Sequence, residues 1–314
     1  MLLVFIIVLI ASILVPGYTI AALILNTGIV IFLSVLQIVI ALFPRFEPHR
    51  RSDIGHPFVS ILVPAYNEPP ALLMQTLEAL SYLNYEHFEV LVIDNNTRDK
   101  SIWKPVEAFT KALGSRFRFF HVDNLSGFKA GALNYGLERL NQRSEYAAVI
   151  DADYVVEPHF LREALSYFTS DNIALVQFPQ QYRNCTNKNR PINDEYRHFF
   201  KIYMNMANHL DCVPSTGTIS TYAVCVLREI GGFREKALTE DADVGLRIYG
   251  AGYRGVYADR TIGYGLMPYD LESYRKQKWR WAFGNAQSLG TLFGLIGKIP
   301  FRSWLGFFAH LTAW

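Results

Sequence analysis

Residues 1–44 contain no Asp, Glu, Lys or Arg, so the 30 basic and 28 acidic residues all fall on the rest of the 314-residue chain. Crossing a hydrocarbon core of about 30 Å takes about 20 helical residues, and a run this long allows two passes if something interrupts it. Pro16-Gly17 is the interruption, dividing the run into candidate spans at 1–15 and 18–43. A secretory signal peptide fits less well, because there is no basic start and a second apolar stretch follows at once. Arg45, Arg50 and Arg51 come next, and arginines beside a span mark the cytoplasmic side. The expectation is a multi-pass protein of a bacterial-type inner (plasma) membrane, in contact with the lipid bilayer, with its globular body in the cytoplasm. Residues 299–314, which include Trp304, Phe307, Phe308 and Trp314, read as the start of a further membrane segment in a chain cut short.

The body is no disordered tail, since 51% of the chain is hydrophobic against 18% charged. A net charge of +2 with no basic tract gives no means of neutralising many phosphates, so nucleic acid is not an expected partner. Cys185, Cys212 and Cys225 match neither a zinc spacing nor a disulfide framework, which points to a reducing compartment.

From Pro57 onward, strand-like apolar runs alternate with helical periods. Phe58–Pro64, Phe88–Ile93, Phe117–Val122 and Tyr146–Ile150 read as strands; Leu73, Leu77 and Leu80, then Leu133, Leu137 and Leu140, read as helix faces. Such alternation implies right-handed crossovers and a mostly parallel sheet, an α/β fold whose ligands sit beyond the carboxyl ends of the strands. Residues 57–265 would form this domain, followed by amphipathic interface helices at 266–298.

Acids stand at those strand ends. Asp94 follows Val92-Ile93, and Asp151-Ala152-Asp153 follows Val149-Ile150. Asp-Asn after a strand is commonly just a turn, and an Asp-x-Asp is often only a solvated loop. Two carboxylates on an extended segment also suit a hard divalent cation carrying a diphosphate. Pro64-Ala65-Tyr66-Asn67-Glu68 contains no glycine, which disfavours a dinucleotide or P-loop fingerprint. In Thr239-Glu240-Asp241-Ala242-Asp243, Thr239 as N-cap and acids in the first turn would account for the run structurally. The functional alternative is a carboxylate facing a cleft that accepts a proton from a hydroxyl. On a helix Gln277, Arg280 and Trp281 share a face, either in a site or at a lipid interface.

The order and spacing of these signals are more specific than any one of them. Asp94, an Asp-x-Asp 57 residues later, Thr-Glu-Asp, and Gln-x-x-Arg-Trp 36 residues after Asp241 together resemble the processive family-two glycosyltransferases, the group of cellulose, hyaluronan and bacterial β-glucan synthases. Lys129-Ala130-Gly131-Ala132-Leu133-Asn134 and Gly231-Gly232-Phe233 add to the resemblance, which spans roughly Pro57 to Gln287. It implies a GT-A-like sheet anchored by N-terminal transmembrane helices, a UDP-sugar donor with UDP-glucose as first candidate, Mg2+ or Mn2+ as cofactor, and a growing β-glucan-type polysaccharide as acceptor. By the same resemblance Asp94, Asp151, Lys129 and Glu68 would bind the nucleotide sugar and Asp153 the metal. Asp241 would be the general base, with Glu240, Gln277, Arg280 and Trp281 binding acceptor and leaving diphosphate. Ser215-Thr216-Gly217-Thr218 departs from the Phe-Cys-Gly-Ser form of cellulose synthases, so linkage and acceptor stay open.

Inverting transfer asks for these residue types: a base on one face of the sugar and charge neutralisation on the other. Trp281 offers a ring on which a sugar can stack and slide. Three rivals remain: a non-processive transferase acting on a lipid acceptor, an inverting hydrolase that also needs two carboxylates, and an inactive nucleotide-sugar-binding membrane protein.

Overall fold

The computed structural model describes residues 16–41 and 47–313. The chain divides into two units at residue 45. The first contains α1 (Pro16–Ala41), while the expected span at 1–15 lies outside the described residues. Among the described residues no helix is long and apolar enough to cross a membrane. That finding contradicts the expected multi-pass inner-membrane localisation with its cytoplasmic body, and it gives the N-terminal anchoring and the bilayer contact no support. A charge-free run permits a span but does not make one, because a span also needs about 20 consecutive helical, strongly apolar residues.

The second unit runs β1 (Phe58–Ala65), α2 (Pro70–Ser81), β2 (Phe88–Asn95), α3 (Lys100–Ala112), β3 (Phe117–Val122), α4 (Phe128–Leu137), β4 (Ser144–Val149), β5 (Val155–Val156), α5 (Phe160–Ser166), β6 (Ile173–Gln177) and β7 (Gln181–Tyr182). It continues with α6 (Arg190–His198), a π-helical turn at Phe199–Tyr203, α7 (Met204–Leu210), β8 (Ser220–Ala223), α8 (Val224–Glu229), α9 (Glu240–Gly250), β9 (Arg254–Tyr257), β10 (Gly263–Gly265), α10 (Leu271–Phe293) and α11 (Phe301–Thr312). Among the described residues seven strands form one sheet in the order β3-β2-β1-β4-β8-β6-β9. The four strands read from sequence pair in parallel, and β8 enters antiparallel between β4 and β6. A mostly parallel α/β sheet is therefore what forms.

Alternation along each central strand explains the two cores. Val59, Ile61 and Val63 of β1 and Val90 and Val92 of β2 face one side, where Leu73, Leu77 and Leu80 of α2 cover them. Leu62, Leu91 and Ile93 face the other, under Leu133 and Leu137 of α4. A sheet covered on both faces needs near-continuous apolar strands, and each such side chain contributes about 1.5–3 kcal/mol by burial. Pro70 opens α2 at a position that tolerates a missing N–H. A smaller sheet, β5-β10-β7, lies beside the chain that carries Asp153.

Candidate active site

Register brings the first group together. Asp94, near the end of β2, stands opposite His121 of β3, and its Oδ2 lies 2.7 Å from His121 Nδ1. Thr97 donates its hydroxyl to Asp94 Oδ1 at 2.6 Å and accepts the N–H of Asn67 at 2.8 Å. Trp103 stacks on the imidazole at 4.0 Å and 10°. Asp94 is only 3% exposed. Burial raises its carboxyl above the usual value, with the Thr97 and His121 contacts opposing. Asn95 and Asn96 tie the strand end to Phe128 and Leu125 by their side-chain amides, so part of the Asp-Asn-Asn run is turn architecture. His121, which completes this corner, had no signal in the sequence beyond its place in a strand.

The second group is a crowd of acids around one lysine. Lys129, in the first turn of α4, donates to Asp151 Oδ1 at 2.5 Å and to the Gly217 carbonyl at 2.9 Å; Glu240 Oε1 lies 3.9 Å away. Burial opposes its charge, but Asp151 and Glu240 outweigh that and hold the ammonium above the ordinary lysine value. Asp153 Oδ2 accepts the Leu266 N–H at 3.0 Å. Burial and then the Asp151 charge push the Asp153 carboxyl up to about 6. Burial, Asp153 and Asp151, in that order, push Glu68 up to about 7.

Acids packed this closely repel one another, and a divalent cation would relieve the repulsion. Among the described residues no group of three or more His, Cys, Asp and Glu is poised as a metal cage. The donor chemistry nonetheless fits a hard cation that takes one or two carboxylates and completes its shell with phosphate oxygens.

The third group comes from the first turn of α9. Asp243 points away from the cleft, 3% exposed, between Arg247 at 2.6 Å and Arg234 at 2.9 Å. Glu240 and Asp241 point the other way. Burial raises both carboxyls, with Asp241 raising Glu240 further and Lys129 opposing in each case. Gly217 adopts φ +80, and a Cβ there would come within 2.9 Å of Asp241 Oδ2. Only glycine therefore allows this loop to pass the acid and present its carbonyl to Lys129. Thr239 occupies the N-cap position, but its side chain makes no cap hydrogen bond. The capping role expected of it fails because its hydroxyl packs against α10, where a Cβ on Gly284 would lie 2.6 Å from Oγ1.

Asp241 lines a half-open cavity of about 70 Å³ together with Trp281, Tyr182, Tyr196, Asn285 and His310, among others. Trp281 and Tyr196 meet at 5.8 Å and 53°, and Tyr196 donates its hydroxyl to Gln277 Oε1 at 2.5 Å. Gln277 and Trp281 thus share the inward face expected from their spacing. Arg280 is exposed, and its charge is among those that lower Asp241. Tyr182, Tyr196 and Asn285 were not found by sequence reasoning, since aromatic and amide side chains far apart in the chain carry no motif. A π-helical turn beside the cavity had no signal either, although such turns recur at functional sites. The arrangement can hold an acidic-group-bound cation at one end and offer a carboxylate and an aromatic wall at the other.

Comparison with known proteins gives the family and the fold. The family described as "Glycosyltransferase like family 2" matches residues 56–284. The cellulose synthase catalytic subunit of Xanthomonas axonopodis pv. citri is 26% identical over 252 residues, covering 77% of this chain and 33% of that protein. A probable glucomannan 4-beta-mannosyltransferase 3 of Oryza sativa subsp. japonica is 28% identical over 261 residues, covering 79% and 47%. The chain thus spans less than half the length of these relatives. Among solved structures, the mannosyltransferase PcManGT from Pyrobaculum calidifontis, in complex with GDP-Man and Mn2+, aligns with a TM-score of 0.72 at 20% identity, over 93% of this chain and 79% of that one. At that identity the likeness establishes the GT-A-like fold.

Proposed function

Because the chain belongs to the family-two glycosyltransferases of cellulose-synthase type, we propose that it transfers a hexose, glucose first among the candidates, with inversion from a UDP-sugar to the end of a growing β-glucan-type chain. The observation that carries this reading is one cavity wall holding both Asp241 and Trp281. An acceptor sugar stacked on the Trp281 ring would bring a hydroxyl to the Asp241 carboxylate, which takes its proton as the hydroxyl attacks the anomeric carbon. Burial raises the affinity of that carboxylate for a proton, as a general base requires.

On the donor side, Asp153 would hold a divalent cation, Mg2+ or Mn2+, and Glu68 and Asp151 would face the nucleotide sugar beside it. When bound, it supplies charge neutralisation for the leaving diphosphate. The Lys129 ammonium, fixed between Asp151 and the Gly217 carbonyl, adds positive charge beside the same region. Asp94, held by His121 and Thr97, would fix the nucleoside end. Gln277 and Arg280 would meet the diphosphate and acceptor from α10, and Glu240 would lie beside Lys129. In this reading residues 57–265 are the catalytic domain and 266–298 its acceptor-side cover.

The test is incubation of the whole protein with labelled UDP-glucose, and with GDP-mannose, the nucleotide sugar in the PcManGT complex, as the rival donor, followed by linkage-specific digestion of the product. Asp241→Asn is expected to cut transfer about 10²–10⁴-fold with nucleotide binding retained. Loss of binding and transfer together would remove Asp241 from the base role.

A further inference from the structure

The cavity beside Asp241 contains polar groups that the reaction above does not use. Asn285 lies one helical turn beyond Trp281 on α10, on the same face. It lines the cavity and is 4% exposed, and its side chain makes no hydrogen bond with the described residues. Thr239 lines the same cavity, is 6% exposed, and its hydroxyl has no partner. The close approach of Gly284 to Thr239 is what sets the two side by side.

A buried polar group left unpaired costs about 1–3 kcal/mol, as the Thr239 hydroxyl does here, and the Asn285 amide beside it keeps its donors and acceptor open toward the cavity. Their surroundings indicate the use. Tyr182, Tyr196 and Trp281 give the cavity flat apolar walls, which suit the faces of a pyranose ring. A pyranose edge carries hydroxyls that both donate and accept, and an Asn amide does both while Thr adds a hydroxyl. Glu68, Lys129, Asp151 and Asp153 are not among the lining residues, so the acid cluster borders this cavity without forming its walls.

We propose that Asn285 and Thr239 bind the edge hydroxyls of the acceptor sugar stacked on Trp281, making this pair the acceptor-specificity element of the site. The proposal rests on the glycosyltransferase reading; Asn285 lies outside both the Thr-Glu-Asp and the Gln-x-x-Arg-Trp patterns, and Thr239, the first residue of Thr-Glu-Asp, gains a role other than the helix cap expected of it. An equatorial and an axial hydroxyl point differently from the ring edge, and a fixed amide answers only one of them well.

The experiment titrates the full-length protein, and its N285L, N285D and T239V variants, with cellohexaose and mannohexaose, and separately with UDP and GDP in the presence of Mn2+. N285L is expected to weaken the preferred oligosaccharide about tenfold, the equivalent of one to two net hydrogen bonds. T239V should weaken it about threefold. N285D, which accepts but cannot donate, should change the ratio between the two oligosaccharides. Nucleotide affinity should stay within twofold throughout. Oligosaccharide affinities equal to wild type in folded N285L overturn the proposal. If N285L does not fold, unchanged affinities in N285D and T239V overturn it instead. A wild-type protein that binds nucleotide but neither oligosaccharide removes the acceptor role of the cavity. Binding neither nucleotide nor oligosaccharide defeats the transferase reading itself, and the proposal with it.

Discussion

Two aspartates two residues apart in α9 behave as opposites. Asp241 faces the cavity, while Asp243 is held by Arg247 and Arg234 on the far side. Asp243→Ala is expected to destabilise the fold by about 3 kcal/mol, because it leaves the buried Arg247 without its carboxylate. Denaturant unfolding measures this, and an unchanged midpoint would refute it. At the other end of the site, Asp153→Ala should raise the Mn2+ concentration needed for nucleotide binding by about 10-fold or more, the usual range for losing a group that holds a metal. A metal titration that matches wild type would remove Asp153 from the donor set. The sequence made these acids visible as candidates. It could not say that Asp243 is structural and Asp241 is not, because helix periodicity separates their directions only when both neighbours of the helix are known.

Among the elements, α10 decides whether the site closes. It crosses the first turn of α9 at Gly284, where an added Cβ would lie 2.6 Å from Thr239 Cγ2 and 2.9 Å from its backbone nitrogen. Backbone cannot swing aside as a flexible side chain can. Gly284→Val is therefore expected to push α10 outward, costing about 1–3 kcal/mol of stability and lowering transfer more than it lowers nucleotide binding. Equal effects on transfer and binding would count against α10 as an acceptor-side element. The face Gln277-Trp281 was legible from spacing alone, and its continuation to Asn285 follows from the same periodicity. What the spacing lacked was a partner: Tyr196, on α6 and 81 residues away from Gln277, turns that face into a wall.

At the scale of the whole molecule, α11 buries His310 against Tyr203 and Phe199, with ring centroids at 5.0 and 5.7 Å. Burial disfavours the charged ring and lowers its pKa from 6.5 to about 4. Between those values the unfolded chain binds a proton that the folded chain does not. The His310 contribution to stability is thus complete above pH 6.5 and declines as pH falls toward 4, by at most about 1.4 kcal/mol per pH unit. Melting temperatures of wild type and His310→Gln, compared from pH 7 to pH 4.5, should fall less steeply for the variant; parallel slopes would refute the linkage. The uncharged start of the chain gave an expectation of membrane spans that the described helices do not meet, since charge content is a weaker condition than the length and apolarity of a particular helix. The sequence by itself determined the doubly covered sheet, because apolar strands alternating with Leu-faced helices can bury both sheet faces only one way, and it determined which acids end the strands. Only the tertiary structure decided that His121 locks Asp94, that Lys129 bridges Asp151 to the Gly217 loop, and that Thr239, Asn285 and Trp281 share one cavity with Asp241. Those meetings join segments tens to hundreds of residues apart, and a one-dimensional pattern carries no information on which side chains a fold brings within 3 Å.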